Sequence, residues 1–183
     1  MTHDIMRHLL CLLTTLWFAA SVAATPHTAV TSAHCYSATA DSTSESHLLF
    51  EGLAMKGDIY EFADTLRSHG FKLEKRLRDV DAFLFKGTIA GCSCYFQVSY
   101  TPTSRTVYRI MAQPRNINIA DYVDALTAIY GELFDSKPGS YQWMTDGGAV
   151  MLMTPDGMDP TLVFIDAHGF ATFKEERDAP KIR

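Results

Sequence analysis

Basic charge is the first thing this sequence is short of. Sixteen Lys and Arg stand against 21 Asp and Glu, a net charge of −5 at pH 7. Nucleic-acid binding runs on phosphate neutralisation, so this balance argues against nucleic acid as a partner. It argues equally against adhesion to anionic lipid. Long apolar runs are also missing. "LLCLLTTLWFAA", at 9–20, falls short of the roughly 20 residues that span a bilayer. Catalytic signatures are absent as well. There is no Gly-x-Ser-x-Gly elbow, no His-Glu-x-x-His helix and no glycine loop to cradle phosphate. No recognisable cofactor motif occurs, so no cofactor is expected.

What is present begins with an address. Arg7 precedes the apolar run, and "SVAAT" follows it with Val22 and Ala24 at the small-residue positions of a cut after Ala24. That is the layout of a secretory signal peptide over 1–24. Cleavage removes Asp4 and Arg7 together, so the mature charge stays at −5. The expected location is periplasmic or extracellular, with no stable membrane insertion after cleavage. Residues 25–46 are rich in Ser, Thr and Ala without an apolar period. Such a segment buries too little surface to offset its ordering entropy and reads as a flexible leader.

Order is expected from His47. The apolar stretch "HLLFEGLAM" ends in a turn at Lys56–Gly57. Asp58 caps a predicted helix whose stripe is Ile59, Phe62, Ala63 and Leu66, and Gly70 stops it. Strands follow in "FKLEKRL", "AFLFKGTI", "CSCYFQVSY" and "TVYRIMAQ", with a tight turn at Ala90–Gly91. A second amphipathic helix runs through Ile119, Tyr122, Val123, Leu126, Ile129 and Tyr130, capped by Asn118 and stopped by Gly131. Next come the loop "DSKPGS", a hairpin of "YQWMT" and "AVMLMT" around Asp146–Gly147–Gly148, and the strand "TLVFIDA". His168–Gly169 reads as a turn into a last strand, "FATFKE". Residues 176–183 read as a charged, fraying tail. The expected architecture is one α+β domain over 47–175, a mostly antiparallel sheet with two helices on one face. Its halves suggest two β-α-β-β(-β) repeats.

The residues His47, Leu48, Phe50, Gly52, Gly57, Phe62, Leu66, Gly70 and Phe71 form a pattern. It is a His-Leu-x-Phe-x-Gly strand, a glycine turn and a Phe-x-x-x-Leu-x-x-x-Gly-Phe helix exit. This resembles the start of small exported α+β proteins of Bacteroidota, and "LTAIYGELF" resembles their second helix. The likeness covers most of 47–173 and departs at Ala54–Met55. It implies export and an α+β fold, and it supplies no catalytic residue.

After cleavage three cysteines remain, Cys35, Cys92 and Cys94, so at least one thiol is unpaired within the chain. Strand alternation puts Cys92, Cys94, Phe96, Val98 and Tyr100 on one face, and Ser93, Tyr95, Gln97 and Ser99 on the other. The first row is apolar, so buried thiols are expected. A Cys92–Cys94 disulfide is strained. Alternate strand residues lie about 6.6 Å apart at Cα, near the end of the disulfide range of about 4.4–6.8 Å. A bridge from Cys35 to either thiol ranks second, and a redox pair third. Two sulfurs without a second pair make no zinc site, and no metal is expected.

Among the remaining candidates, Asp79 and Asp81 read as turn residues. Asp156 and Asp159 fall short of a calcium loop. His69 and His168 each precede a glycine, with no nucleophile brought near. Tyr141 and Trp143 alternate in one short strand. If their side is solvated they form a platform for a sugar ring or a partner protein, and if it faces the helices they are core.

The function favoured by these readings is an exported, soluble, non-enzymatic binding or interaction domain of the cell envelope. Its partner is a protein or envelope component. The alternatives are a small thiol or redox enzyme built on Cys92 and Cys94, and a structural envelope protein.

Overall fold

The computed structural model describes residues 46–180. The segment expected as a signal peptide, most of the expected leader with Cys35, and the last three residues lie outside the described residues. A short hairpin comes first, β1 (Leu49–Phe50) and β2 (Leu53–Ala54), turning through Glu51 and Gly52, both with positive φ. Then come α1 (Ile59–Ser68), β3 (Lys72–Leu77), a 3-10 turn at Arg78–Val80, β4 (Ala82–Ile89), β5 (Cys92–Tyr100) and β6 (Val107–Ala112). The second half holds α2 (Ile119–Tyr130), β7 (Leu133–Lys137), β8 (Ser140–Thr145), β9 (Gly148–Met153), β10 (Thr161–Asp166) and α3 (Ala167–Asp178).

Strands β3 to β10 form one eight-stranded sheet of order β3-β4-β5-β6-β10-β9-β8-β7, antiparallel at every pairing. Each half is a four-strand meander led by a helix. The last strands, β6 and β10, join the halves in the register Leu162↔Ala112 and Phe164↔Ile110. The repeat unit is therefore α-β-β-β-β, and the stretch expected to open the first repeat as a strand is a hairpin that forms its own two-stranded sheet.

Local chemistry explains both leading helices. The Tyr60 amide donates to the Asp58 side chain at 2.8 Å, satisfying an otherwise orphaned N–H. Helix α1 ends in a Schellman motif: Phe71 N–H donates to Leu66 O and Gly70 N–H to Arg67 O, with Gly70 at φ 89°. Asn118 caps α2 through the Ala120 amide at 3.0 Å. Strand β3 breaks its alternation at Lys75 because the register shifts between Leu73 and Lys75. The extra residue keeps Leu73 toward the helices and turns Lys75 away.

One face of the sheet carries the main core. Leu66 and Phe62 of α1, Leu126 and Tyr122 of α2, and Phe85, Phe96, Val98, Ile110, Leu152 and Phe164 of the strands are all buried in it. The Phe50 ring from the hairpin lies at its centre, between 5.1 and 5.7 Å from the rings of Phe71, Phe96 and Phe164. Phe50→Ala would cost about 3–5 kcal/mol.

The last element departs from expectation. Residues 167–178 form a helix, not a strand followed by a fraying tail. The Asp166 side chain accepts from the Gly169 amide and starts it. Gly169 then lets the helix backbone touch Val107 and Tyr108, where a Cβ would collide with main chain. Phe173 stacks on Tyr108 with ring centroids 4.4 Å apart. Tyr108 neighbours Ser99, which the register places on the face opposite the main core. Two helices thus pack on one side and α3 on the other. Residues 135–137, expected in a loop, extend β7 to the turn at Pro138–Gly139.

Candidate functional site

Strand β10 ends on a buried acid. Alternation sends Leu162, Phe164 and Asp166 to the same side, toward the main core. A carboxylate survives there only by accepting hydrogen bonds. Asp166, fully buried, accepts from the Leu48 amide at 2.8 Å and from the Gly169 amide at 2.8 Å. The His47 imidazole adds a third donor, with Nδ1 3.2 Å from each carboxylate oxygen. A carboxylate oxygen only accepts, so Nδ1 carries a proton and Nε2 is the second, uncommitted nitrogen. Gly147 makes room for this, since a Cβ there would collide with the main chain of His47 and Leu48.

His47 lines a cleft of about 490 Å³ between the β1–β2 hairpin, the first turns of α1 and the start of α3. Leu53, Ala54 and Phe62 supply apolar wall, while Lys56, Glu61 and His168 bring charge and a second imidazole. The His47 and His168 rings meet edge to face, centroids 5.5 Å apart. Lys56 and Glu61 are both exposed and neither forms an ion pair among the described residues. A larger, shallower depression of about 760 Å³ lies between the end of α1 and β3. Its charges are already matched, Arg67 with Asp64 and Lys72 with Glu74, each at 3.0 Å. The cleft at His47 is the better candidate because Lys56 and Glu61 line it without an ion pair among the described residues.

Of the residues singled out by the sequence, His168 lines this cleft, and the cysteine pair and Tyr141–Trp143 lie elsewhere. Cys92 and Cys94 share the helix-facing side of β5, with Cys94 inside the main core and Cys92 half-buried against it. Both are free thiols. Burial, reinforced by Cys92 and Glu51, pushes the Cys94 thiol up to about 11, the opposite of what a redox or nucleophilic cysteine needs. Tyr141 and Trp143 also share a side, and it is the side the helices cover. Trp143 is fully buried and its indole N–H donates to Thr127 of α2 at 3.2 Å. The open aromatic platform therefore has no Trp143 to build on, and half-buried Tyr141 packs against the core. Asp81 ends the 3-10 turn at φ 45°, and His69 Nδ1 lies 2.9 Å from the Thr65 carbonyl at the helix end. Among the described residues no three His, Cys, Asp or Glu side chains are placed to hold a metal ion.

Sequence reading placed His47 in a strand motif and missed its role. Asp166 sat unremarked inside "TLVFIDA". The available signal was an acid at an inward position of an otherwise apolar strand, which demands a partner. On the far face, Arg109 is a second unread feature. Its Nη2 donates to Ser99 Oγ at 3.4 Å, and its Nε is buried with no acceptor.

Comparison of the chain with protein-family models, with curated proteins and with solved structures finds no match.

Proposed function

We propose that the protein is a non-enzymatic binding domain that acts after export, and that it takes its ligand in the cleft at His47. The observation that carries this reading is the pairing of a rigid floor with two charged side chains. Asp166, fixed by the Leu48 and Gly169 amides, holds the imidazole, while Lys56 and Glu61 line the same space without an ion pair among the described residues. A pre-formed concavity with apolar walls and a few convergent polar groups is the usual form of a binding site. The layout of residues 1–24 and the resemblance to small exported Bacteroidota proteins support export. The elevated Cys94 thiol weighs against the thiol-enzyme alternative.

The test has two arms. Cells expressing the full chain are fractionated and the protein is weighed by mass spectrometry. A chain beginning at Thr25 in the exported fraction supports the reading, and a full-length chain retained in the cytoplasm overturns the export half. The ¹⁵N-labelled mature protein is then titrated with a low-molecular-weight envelope extract. Amide shifts gathered at His47, Lys56, Glu61 and Thr106 support the cleft. Absence of any shift there, or chemical conversion of an extract component by the protein, overturns it.

A further inference from the structure

The charges around the cleft specify what kind of molecule it suits. Lys56 is an ammonium and Glu61 a carboxylate, on one wall but not bonded to each other. Lys56 leaves the end of the β2 segment, where its amide donates to Ala54 O at 2.9 Å. Glu61 rises from the first turn of α1 and its carboxylate lies over Gly57, close to where a Cβ would stand. The lining also includes the His47 imidazole, whose Nδ1 is committed to Asp166. Phe62, Leu53 and Ala54 form the apolar part of the lining.

We propose that this cleft recognises a short zwitterionic peptide, with its free ammonium at Glu61, its carboxylate at Lys56 and an apolar side chain against Phe62 and Leu53. The proposal rests on the binding reading above and names its ligand class. Each terminus then meets a group of opposite sign. A ligand of one net sign would leave either Lys56 or Glu61 facing like charge. A purely apolar ligand would desolvate both without replacing their water. The volume, about 490 Å³, lies within the usual range for small-molecule sites of roughly 300–1,000 Å³.

The test is calorimetric titration of the mature protein with the dipeptide Ala-Leu, its N-acetyl form and its C-terminal amide. Ala-Leu is expected to bind roughly tenfold more tightly than either capped form, since each cap removes one charge-assisted hydrogen bond. Glu61→Gln should weaken Ala-Leu and leave the N-acetyl form unchanged. Lys56→Met should weaken Ala-Leu and leave the amide unchanged. Both side chains are exposed, so circular dichroism of the variants should match the parent. Equal affinity for capped and uncapped peptides overturns the zwitterion assignment while leaving the cleft as a binding site. If no peptide binds but an extract component shifts the cleft amides, the assignment again fails and the binding reading stands. If neither binds, both fail.

Discussion

His47 Nδ1 stands 3.2 Å from both oxygens of Asp166, a residue 119 positions further along the chain. This contact ties the entry of the domain to the end of its last strand. Three donors share the carboxylate, and one of them, the Gly169 amide, belongs to the first turn of α3. Asp166→Ala therefore removes a helix cap and strands two further donors at once. A loss of about 2–4 kcal/mol is expected, read as a lower urea midpoint. Asp166→Asn keeps one acceptor oxygen and should fall between. Equal stability of parent and Asp166→Ala would show the acid to be dispensable.

The thiol at Cys94 links the core to alkaline pH. Its ordinary value of 9.0 rises to about 11 in the fold, first through burial and then through Cys92 and Glu51. The unfolded chain therefore loses this proton before the folded one does. The stabilising contribution is complete below about pH 9 and is lost as pH rises toward 11. Iodoacetamide should label Cys94 in the native protein far more slowly than in urea at pH 8. Rapid native labelling would mean the sulfur is not where the core places it.

Glu176 fastens α3 to the β5–β6 turn. Its carboxylate accepts from the Thr103 amide at 2.8 Å and the Ser104 amide at 2.9 Å. Desolvation raises its pKa, but hydrogen bonds from Ser104, the two amides and Thr101 outweigh that and lower it from 4.5 to about 2. With the folded value depressed, the stabilisation is present above about pH 4.5 and disappears as pH falls toward 2. Glu176→Gln should cost about 1 kcal/mol at pH 7, a modest figure because solvent reaches the site. The gap between parent and variant should narrow below about pH 4.5 and close only as pH falls to about 2. A gap that does not narrow over that range would assign the cost to packing.

Arg109 makes a prediction of the opposite sign. A buried donor without an acceptor costs about 1–3 kcal/mol, and its Nε is such a donor. The side chain leans on the Tyr108 ring at 5.6 Å and, among the described residues, its one hydrogen bond is a long one of 3.4 Å to Ser99. Arg109→Met keeps most of the volume and removes the orphan. Its urea midpoint should equal or exceed that of the parent. A clear drop would mean the guanidinium holds a bond worth more than the orphan costs.

Much of the fold was legible because its signals are local. Asp58 and Asn118 announced two helix starts, Gly70 and Gly131 their ends, and Ala90–Gly91 and Asp146–Gly147 two hairpins, since each needs only its neighbours to act. Cys94 was readable as core from alternation alone. The third helix was misread because Asp166, Gly169, Phe170 and Phe173 fit a turn and a strand as well as a cap and a helical stripe. Its contact with Tyr108 settles the choice. The candidate site was not legible, because His47 and Asp166 meet across 119 positions of chain.

By itself the sequence determined where the first two helices begin and stop, which side chains of β5 turn inward, and the sign of the net charge. Capping, alternation and periodicity act within a few residues, so they are written where they operate. Only the tertiary structure decided that α3 crosses to the far side of the sheet, that Trp143 is core, and that His47 meets Asp166 beside Lys56 and Glu61. Those outcomes depend on which distant surfaces fit together, and a lone histidine or aspartate carries no mark of the residue it will find.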